Sequence, residues 1–502
     1  NPWKTKNNYR NRLHDLLWLE EAQQRKLTRA YDLHNVEIAH VNELMEAETY
    51  VRFPYPLVRV NCANLAEKRP SIQRADRVFA WLPGAEAHVQ FEGFVHRVEG
   101  QTLLLLFSRS MVQRHGHGTR IHLRFDVERH TARMMHRAVD DARLDIVWPD
   151  KGPTGAPPVP AAVQGLAAKI PIAKELNEQQ RAVLAHLLMY SSKDTDKAGA
   201  PPGLPGAPYL LFGPFGTGKT RTLVEFRRLL LSDGATWAPS FKKGPLRVLI
   251  CSPSNSSADN YVTSLIQQLP EAGQMLRLYA STRSERSVNP AIRKYCAYDA
   301  KAGAFTAPPL QQLLETTLIV STTRSAAMLV NGGVPQGHFS HIIIDEAAQL
   351  MEAEALLPIS LAGSNTQVIM AGDPQQLGPS TFSKVESLHG LHCSVMERMQ
   401  GLPLYQRPDS RLCAHLTRNY RSHPTLVKLL SKISYKNQLQ PAAPQEKVTA
   451  LASWSKRGTN QSFPMLFCAV EGACEQREGD SPSFFNAVEA STLADLVADL
   501  LG

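Results

Sequence analysis

The sequence predicts an α/β protein: a parallel sheet built from crossover units, with a small antiparallel barrel ahead of it. Three observations carry this. Apolar, strand-sized runs recur at 209–212, 247–251, 317–321, 341–344 and 367–371, and helical stretches fill most of the gaps between them. A glycine-rich turn joins the first of these runs to a helical one containing Leu223, Val224 and Phe226. Between 50 and 125 the pattern changes to short alternating runs, 78–82, 91–98 and 102–107, with turns at Pro83-Gly84 and Glu99-Gly100.

In chain order, the first segment, 1–50, is read as helix. Leu13, Leu16, Leu17 and Leu27 recur at helical spacing within 8–33, with mixed charge between them. The alternating barrel segment takes 51–125. Helix returns over 126–143, where Val127, Met134, Met135, Ala138 and Ala142 share one side, and a Pro-rich linker follows at 148–160, so 126–170 is helix and linker. The parallel-sheet domain runs 171–405. It includes a polar, then Pro/Gly-rich loop at 192–208, read as a surface insertion. A fresh α/β segment begins near 411, is assigned to 406–502, and is still in progress at Gly502.

The 502 residues are enough for three or four domains, and 43% hydrophobic with 20% charged is ordinary for a globular chain. A net charge of +9 is compatible with a polyanionic partner without requiring one. The seven cysteines are scattered and form no C-x-x-C pair, which argues against a disulfide framework and a zinc ribbon and for a reducing compartment. His115, His117, His122 and His130 read as a solvated, His-rich stretch. The longest apolar run, 103–107, is strand-sized, so no membrane span is expected. The chain starts at Asn1 rather than Met and is expected to be a fragment or a processed product.

The turn reads Gly213-Pro214-Phe215-Gly216-Thr217-Gly218-Lys219-Thr220, a complete G-x-x-x-x-G-K-[ST] phosphate loop in its strand–turn–helix context. Its glycines let backbone N–H groups close round phosphates, and the helix N-terminus adds a favourable dipole. Lys219 is expected to reach the β/γ-phosphates of a nucleoside triphosphate and Thr220 to ligate Mg²⁺, with Arg221 counted among the nucleotide-binding residues. The run Ile342-Ile343-Ile344 ends in Asp345-Glu346 at the same edge of the sheet. Asp345 is expected to hold the metal and Glu346 to polarise the attacking water, with Gln349 one turn further on. Residues 372–379, Gly-Asp-Pro-Gln-Gln-Leu-Gly-Pro, follow another strand on the edge where ligands collect in open α/β sheets, and Gln376 is a candidate γ-phosphate contact.

Together these segments resemble the superfamily 1 helicases, in particular the group of RNA helicases that includes the nonsense-mediated-decay helicase. The resemblance implies a RecA-like ATPase lobe over 171–405, the start of a second RecA-like lobe over 406–502, and a small β-barrel on helical stalks over an RNA channel. Leu176-Asn177-Glu178-Gln179-Gln180 resembles that family's Q motif, which implies Gln180 on the adenine edge; with Gln179 beside it the register is open by one residue. Ser252-Pro253-Ser254-Asn255, with Ala258 and Asp259, resembles motif Ia, and Ser321-Thr322-Thr323 resembles motif Ic. Both imply nucleic-acid backbone contacts, through Ser254, Asn255, Thr322 and Thr323. Asn419-Tyr420-Arg421-Ser422-His423-Pro424 resembles the Q-Y-R-x-H-P motif with Asn in place of Gln. It implies Tyr420 stacked on adenine and Arg421 as an arginine finger. Phe215, and the stretch 478–486, are similar to the helicase-with-zinc-finger branch, although this sequence contains no zinc finger. The family further implies ATP and Mg²⁺ as ligands, single-stranded RNA as the track, 5′→3′ travel, protein partners, and a cytoplasmic or nuclear location.

Two family segments, T-x-x-x-x-Q-G-x-E and a later T-R-A that brings a second arginine, do not occur after residue 424. Leu27-Thr28-Arg29-Ala30 matches the second by letters but lies far upstream, inside a helical run. These residues alone are therefore expected to bind nucleotide and to hydrolyse it weakly, as part of a longer protein. An ATP-gated RNA clamp or scaffold is the alternative function; the intact Glu346 speaks for a motor. A P-loop GTPase would want an N-K-x-D motif, and none occurs. RNA and DNA are not distinguished by these residues, because the choice hinges on 2′-hydroxyl contacts.

Overall fold

The computed structural model describes residues 5–501 apart from 42–44, 47–48, 51–56, 63–71, 73–75, 85–89, 100, 128, 151–159, 171–174, 191–206, 233–245, 267–273, 302, 384–388, 407–408, 452–453, 455–464 and 477–483. Most of the Pro-rich linker, of the 192–208 insertion and of the 478–486 stretch thus lies outside the described residues. The chain divides into two compact units, one of 17–132, 454–457 and 465–502, the other of 1–16, 133–453 and 458–464. Helix α1, Tyr9–Thr28, and helix α2, His130–Asp140, each run across the division. Their apolar stripes are the expected ones, with Leu13, Leu16, Leu17, Met134, Met135 and Ala138 buried.

The first unit holds strands β1 Leu33–Glu37, β2 Ala39–Val41, β3 Leu57–Asn61, β4 Arg77–Trp81, β5 Phe91–Glu99, β6 Thr102–Phe107 and β7 Arg120–Asp126. They form one antiparallel sheet in the order β1-β7-β4-β5-β6-β3-β2. Its two edge strands, β1 and β2, are separated only by the buried Ile38, so one bent segment pairs at both ends and the sheet is nearly closed. Period-two alternation fills the interior with Val58, Val60, Val78, Ala80, Leu103, Leu105, Ile121, Leu123 and Phe125. The barrel therefore takes in 33–41, upstream of 51, in a stretch the sequence reading assigns to helix. The reason is that β1 has little apolar signal of its own, since Leu33 and Val36 are only half-buried, and it exists by pairing with β7. The same unit ends in a helix, Ala487–Leu501, whose N–H groups at Val488 and Glu489 are capped by Asn486 Oδ1.

The second unit is built on β8 Tyr209–Phe212, β9 Val248–Ser252, β10 Met275–Leu278, β11 Leu318–Thr322, β12 His341–Ile344, β13 Gln367–Gly372 and β14 Cys413–His415. All pair in parallel, in the order β10-β11-β9-β12-β13-β8-β14. Strands β8, β9 and β12 are buried at every position, as a sheet covered on both faces requires. The covering helices include α3 Glu178–Tyr190, α4 Lys219–Ser232, α5 Asn255–Leu265, α6 Glu352–Ile359 and α7 Val395–Gln400, with α8 Pro424–Ser434 following β14.

Two strands of this sheet differ from the sequence reading. β10 carries Arg277 in a short apolar run, which masks its period; the guanidinium is fully buried because Asp259 and Asn255 accept from it. β14 lies where the reading opens a second lobe near 406–411, yet it joins this sheet beside β8. Because every strand points the same way, the segments after β8, β9, β11, β12 and β13 all emerge along one edge.

Candidate active site

At that edge the phosphate loop turns from β8 into α4. Gly216 and Gly218 sit at φ +68° and +87°, which side chains with a Cβ rarely adopt. A Cβ at Gly218 would lie 2.5 Å from Gln180 Nε2, and one at Gly216 would lie 2.7 Å from Arg421 Cβ. Thr217, fully buried, donates its hydroxyl to Pro214 O at 2.7 Å and closes the turn. Among the described residues no hydrogen bond engages the backbone N–H of Gly216, Gly218, Lys219 or Thr220. The Lys219 ammonium donates to Gly213 O at 2.6 Å and stands 3.7 Å from Glu346 Oε1. Arg221, by contrast, points to the surface, where Glu175 accepts from it at 2.8 Å.

Strand β12 delivers the two acids. Asp345 is fully buried; its Oδ2 accepts from Thr220 Oγ1 at 2.9 Å and from Tyr261 OH at 2.7 Å, and its Oδ1 from Glu346 N at 2.9 Å. Glu346 is held at φ +54°, ψ +36°, a left-handed conformation that costs an L-residue roughly 1–2 kcal/mol. Such outliers collect at functional sites. Burial raises the Glu346 carboxyl above its ordinary range; Lys219 opposes this, and Asp345 and Asp373 add to it. Gln349 Nε2 reaches Glu346 Oε2 at 3.3 Å. The segment after β13 places Asp373 nearby, and Gln376 donates to Asp373 Oδ2 at 2.7 Å, as does Tyr435 OH at 2.8 Å. Gln376 is thus turned onto its own loop.

The residues implied at the base are engaged in linking loops. Gln180, expected on adenine, is buried, and its amide donates to Thr217 O at 3.1 Å while its carbonyl accepts from Asn177 N. Gln179 takes a separate role and holds Thr417 through N→Oε1 at 3.0 Å. Asn177 donates to Tyr420 OH at 2.8 Å. Asn419 is fully buried: Nδ2 donates to Phe215 O at 2.6 Å, and Oδ1 accepts from the N–H of Arg421 and of Ser422 at 2.9 Å each. The exposed Arg421 is thereby fastened to the phosphate loop through its backbone. Asn419→Ala strands these buried groups, each worth about 1–3 kcal/mol, so kcat is expected to fall roughly tenfold with nucleotide affinity little changed. Steady-state kinetics beside a melting curve checks it.

The residues implied at the nucleic acid are less uniform. Ser254 caps α5, its Oγ accepting from Ser257 N at 3.1 Å. Asn255 Oδ1 accepts from Arg277 Nη2 at 2.9 Å. Thr322 Oγ1 pairs with Ser325 Oγ at 2.8 Å. Thr323 departs from the expectation: it is 1% exposed, and its N–H bonds back to Ser252 O. Sequence reasoning did not single out Tyr261, Asp373, Tyr435 or Arg277. Tyr261 lies on the apolar face of α5 and reads as core; its signal is that a buried phenol needs an acceptor.

All seven cysteines are free, no helix among the described residues is long and apolar enough to cross a membrane, and no His/Cys/Asp/Glu group among them could hold a metal ion by itself. The parallel sheet and its loop define a P-loop nucleotide-binding protein. An AAA-domain profile matches 175–304 and 305–384, a second AAA-domain profile matches 391–502, and the profile of the helicase MOV-10 beta-barrel domain matches 44–125. The putative helicase mov-10-B.1 of Danio rerio is 31% identical over 99% of this chain and 46% of its own length. For the RNA helicase Mov10l1 of Homo sapiens the figures are 28%, 96% and 42%, and for the human probable helicase with zinc finger domain 27%, 99% and 25%. The chain belongs to the superfamily 1 helicases, in the group formed by the MOV-10, Mov10l1 and zinc-finger-domain helicases. It spans less than half the length of these relatives.

Proposed function

We propose that this chain is the motor core of an ATP-dependent helicase or translocase that hydrolyses ATP with Mg²⁺ and moves along single-stranded RNA. The observation that carries the proposal is the convergence of Thr220 on Asp345 at 2.9 Å with Lys219 and Glu346 3.7 Å apart. The residues fit the nucleotide: unengaged loop N–H groups and Lys219 would take its phosphates, and Thr220 with Asp345 would hold Mg²⁺. Bound there, the ion offsets the phosphate charge. Lys219 exchanges Gly213 O for phosphate oxygen, and Glu346 accepts the proton of the attacking water. Gln180 and Tyr420, both hydrogen-bonded to Asn177, frame the base, and Arg421 stabilises the charge that develops on the γ-phosphate. Gln376 and Asp373 relay nucleotide state to α8 through Tyr435. Ser254, Asn255 and Thr322 are the proposed backbone contacts, and the 5′→3′ direction rests on family resemblance alone.

ATP turnover by the full-length protein, with and without single-stranded RNA and with DNA of the same sequence, tests this. Turnover stimulated by RNA more than by DNA is expected. RNA binding that responds to nucleotide without any turnover would replace the motor by an ATP-gated clamp.

A further inference from the structure

The nucleotide-site reading above leaves Tyr261, buried beside Asp345, without a role. Tyr261 is completely enclosed, and its hydroxyl shares Asp345 Oδ2 with Thr220. A carboxylate oxygen can only accept, so the Tyr261 hydroxyl is the donor in this contact, at 2.7 Å. With Glu346 N on Oδ1, the carboxylate is held by donors from three segments: the phosphate loop, its own strand end and α5. The last is the unusual one. α5 begins at the Ser254 cap, at the proposed nucleic-acid contacts, and Tyr261 lies further along the same helix. The near end of α5 is stiffened by Arg277, which donates to Asn255 Oδ1 at 2.9 Å and to Asp259 Oδ1 at 2.8 Å. Tyr279 OH donates to the same Asp259 oxygen at 2.7 Å. The Ser254 cap and Tyr261 lie roughly two turns apart on one continuous, braced helix, so one rigid element joins the two positions.

We propose that Tyr261 is a positioning residue that couples the nucleic-acid edge to the metal-binding carboxylate. Nucleic acid seated at Ser254 and Asn255 sets the attitude of α5, α5 sets the Tyr261 hydroxyl, and the hydroxyl aims Asp345. Two consequences follow. The phenol contributes to Mg²⁺ affinity in the nucleotide complex. It also transmits the effect of RNA on that affinity, and by linkage the effect of Mg²⁺·nucleotide on RNA affinity.

Tyr261→Phe removes only the hydroxyl. The test is titration of a fluorescent ADP analogue on the full-length protein, with Mg²⁺ or EDTA, each with and without a single-stranded RNA oligonucleotide. In the variant the Mg²⁺ concentration for half-saturation is expected to rise about tenfold, the scale of one hydrogen bond to a charged group. Affinity in EDTA stays unchanged, and the RNA-induced shift in Mg²⁺·nucleotide affinity shrinks towards none. A melting temperature taken without Mg²⁺ separates a packing defect, which would lower it while leaving the Mg²⁺ dependence alone. Unchanged Mg²⁺ half-saturation in the variant, or no RNA-induced shift in the unsubstituted protein, would overturn the coupling role. Failure of the unsubstituted protein to bind nucleotide in either buffer would instead overturn the nucleotide-site reading on which this inference rests.

Discussion

Glu346→Gln is expected to lower RNA-stimulated ATP turnover by about 10²–10⁴-fold, the usual contribution of a positioned general base. Nucleotide affinity should be nearly unchanged, because the amide keeps the size of the carboxylate and the phosphates are held elsewhere. The geometry gives the reason. Glu346 is the half-buried member of the acid pair, 3.7 Å from Lys219 and held in a left-handed backbone conformation, whereas Asp345 is fully enclosed and already bonded on both oxygens. Only Glu346 can turn towards a water. Burial raises its carboxyl above the ordinary glutamate range. The base acts ionised, so activity is present above the raised pKa and is lost as pH falls through it. The acid limb of kcat/KM, which reports the nucleotide-free enzyme, should therefore lie at higher pH than an exposed glutamate would give, and it should vanish in the Gln variant. Single-turnover rates across pH, beside equilibrium binding of a fluorescent nucleotide, measure both effects. A variant that keeps wild-type turnover would remove Glu346 from the chemistry.

Glu352→Gln is expected to cost about 3–5 kcal/mol of stability, the penalty for leaving a buried charge uncompensated. Glu352 opens α6, just after the acidic strand end, and its side chain is 4% exposed. Arg398 Nε donates to it at 2.6 Å, Tyr9 OH at 2.8 Å, and Arg12 stands 3.5 Å away. Arg398 also donates to Val147 O at 2.9 Å and lies 4.5 Å over the Trp148 ring and 5.3 Å over that of Tyr9. Neutralising the one acid leaves the enclosed Arg12 and Arg398 guanidiniums without their shared counter-charge. The shift in denaturation midpoint in urea is the measurement. A change below about 1 kcal/mol would mean that water reaches the cluster as it does a surface pair.

Much of the site is legible before any fold is seen, because its pieces are local. A strand, a glycine turn and a helix N-terminus form a phosphate loop within a dozen residues, and an isoleucine run that ends in Asp345-Glu346 needs no distant partner to be recognised. Other residues are opaque for the opposite reason. Arg277 interrupts an apolar run and hides β10; only Asp259 and Asn255, supplied by α5, make its burial tolerable. Leu33–Glu37 becomes a strand because β7 pairs with it. Thr323 matches a contact motif by letters, yet packing buries it.

Periodicity and spacing along the chain establish a parallel α/β sheet with an antiparallel barrel before it, and a phosphate loop and acid pair at one sheet edge, since each depends on neighbours a few residues away. Contacts between remote segments assign the rest. They set Cys413–His415 beside the phosphate-loop strand, give Gln179 to Thr417 and Gln180 to Thr217, fasten Arg421 through Asn419, and bring Tyr261 onto Asp345. A buried donor or acceptor must find a partner, but which partner depends on how the chain packs, and no periodicity encodes that.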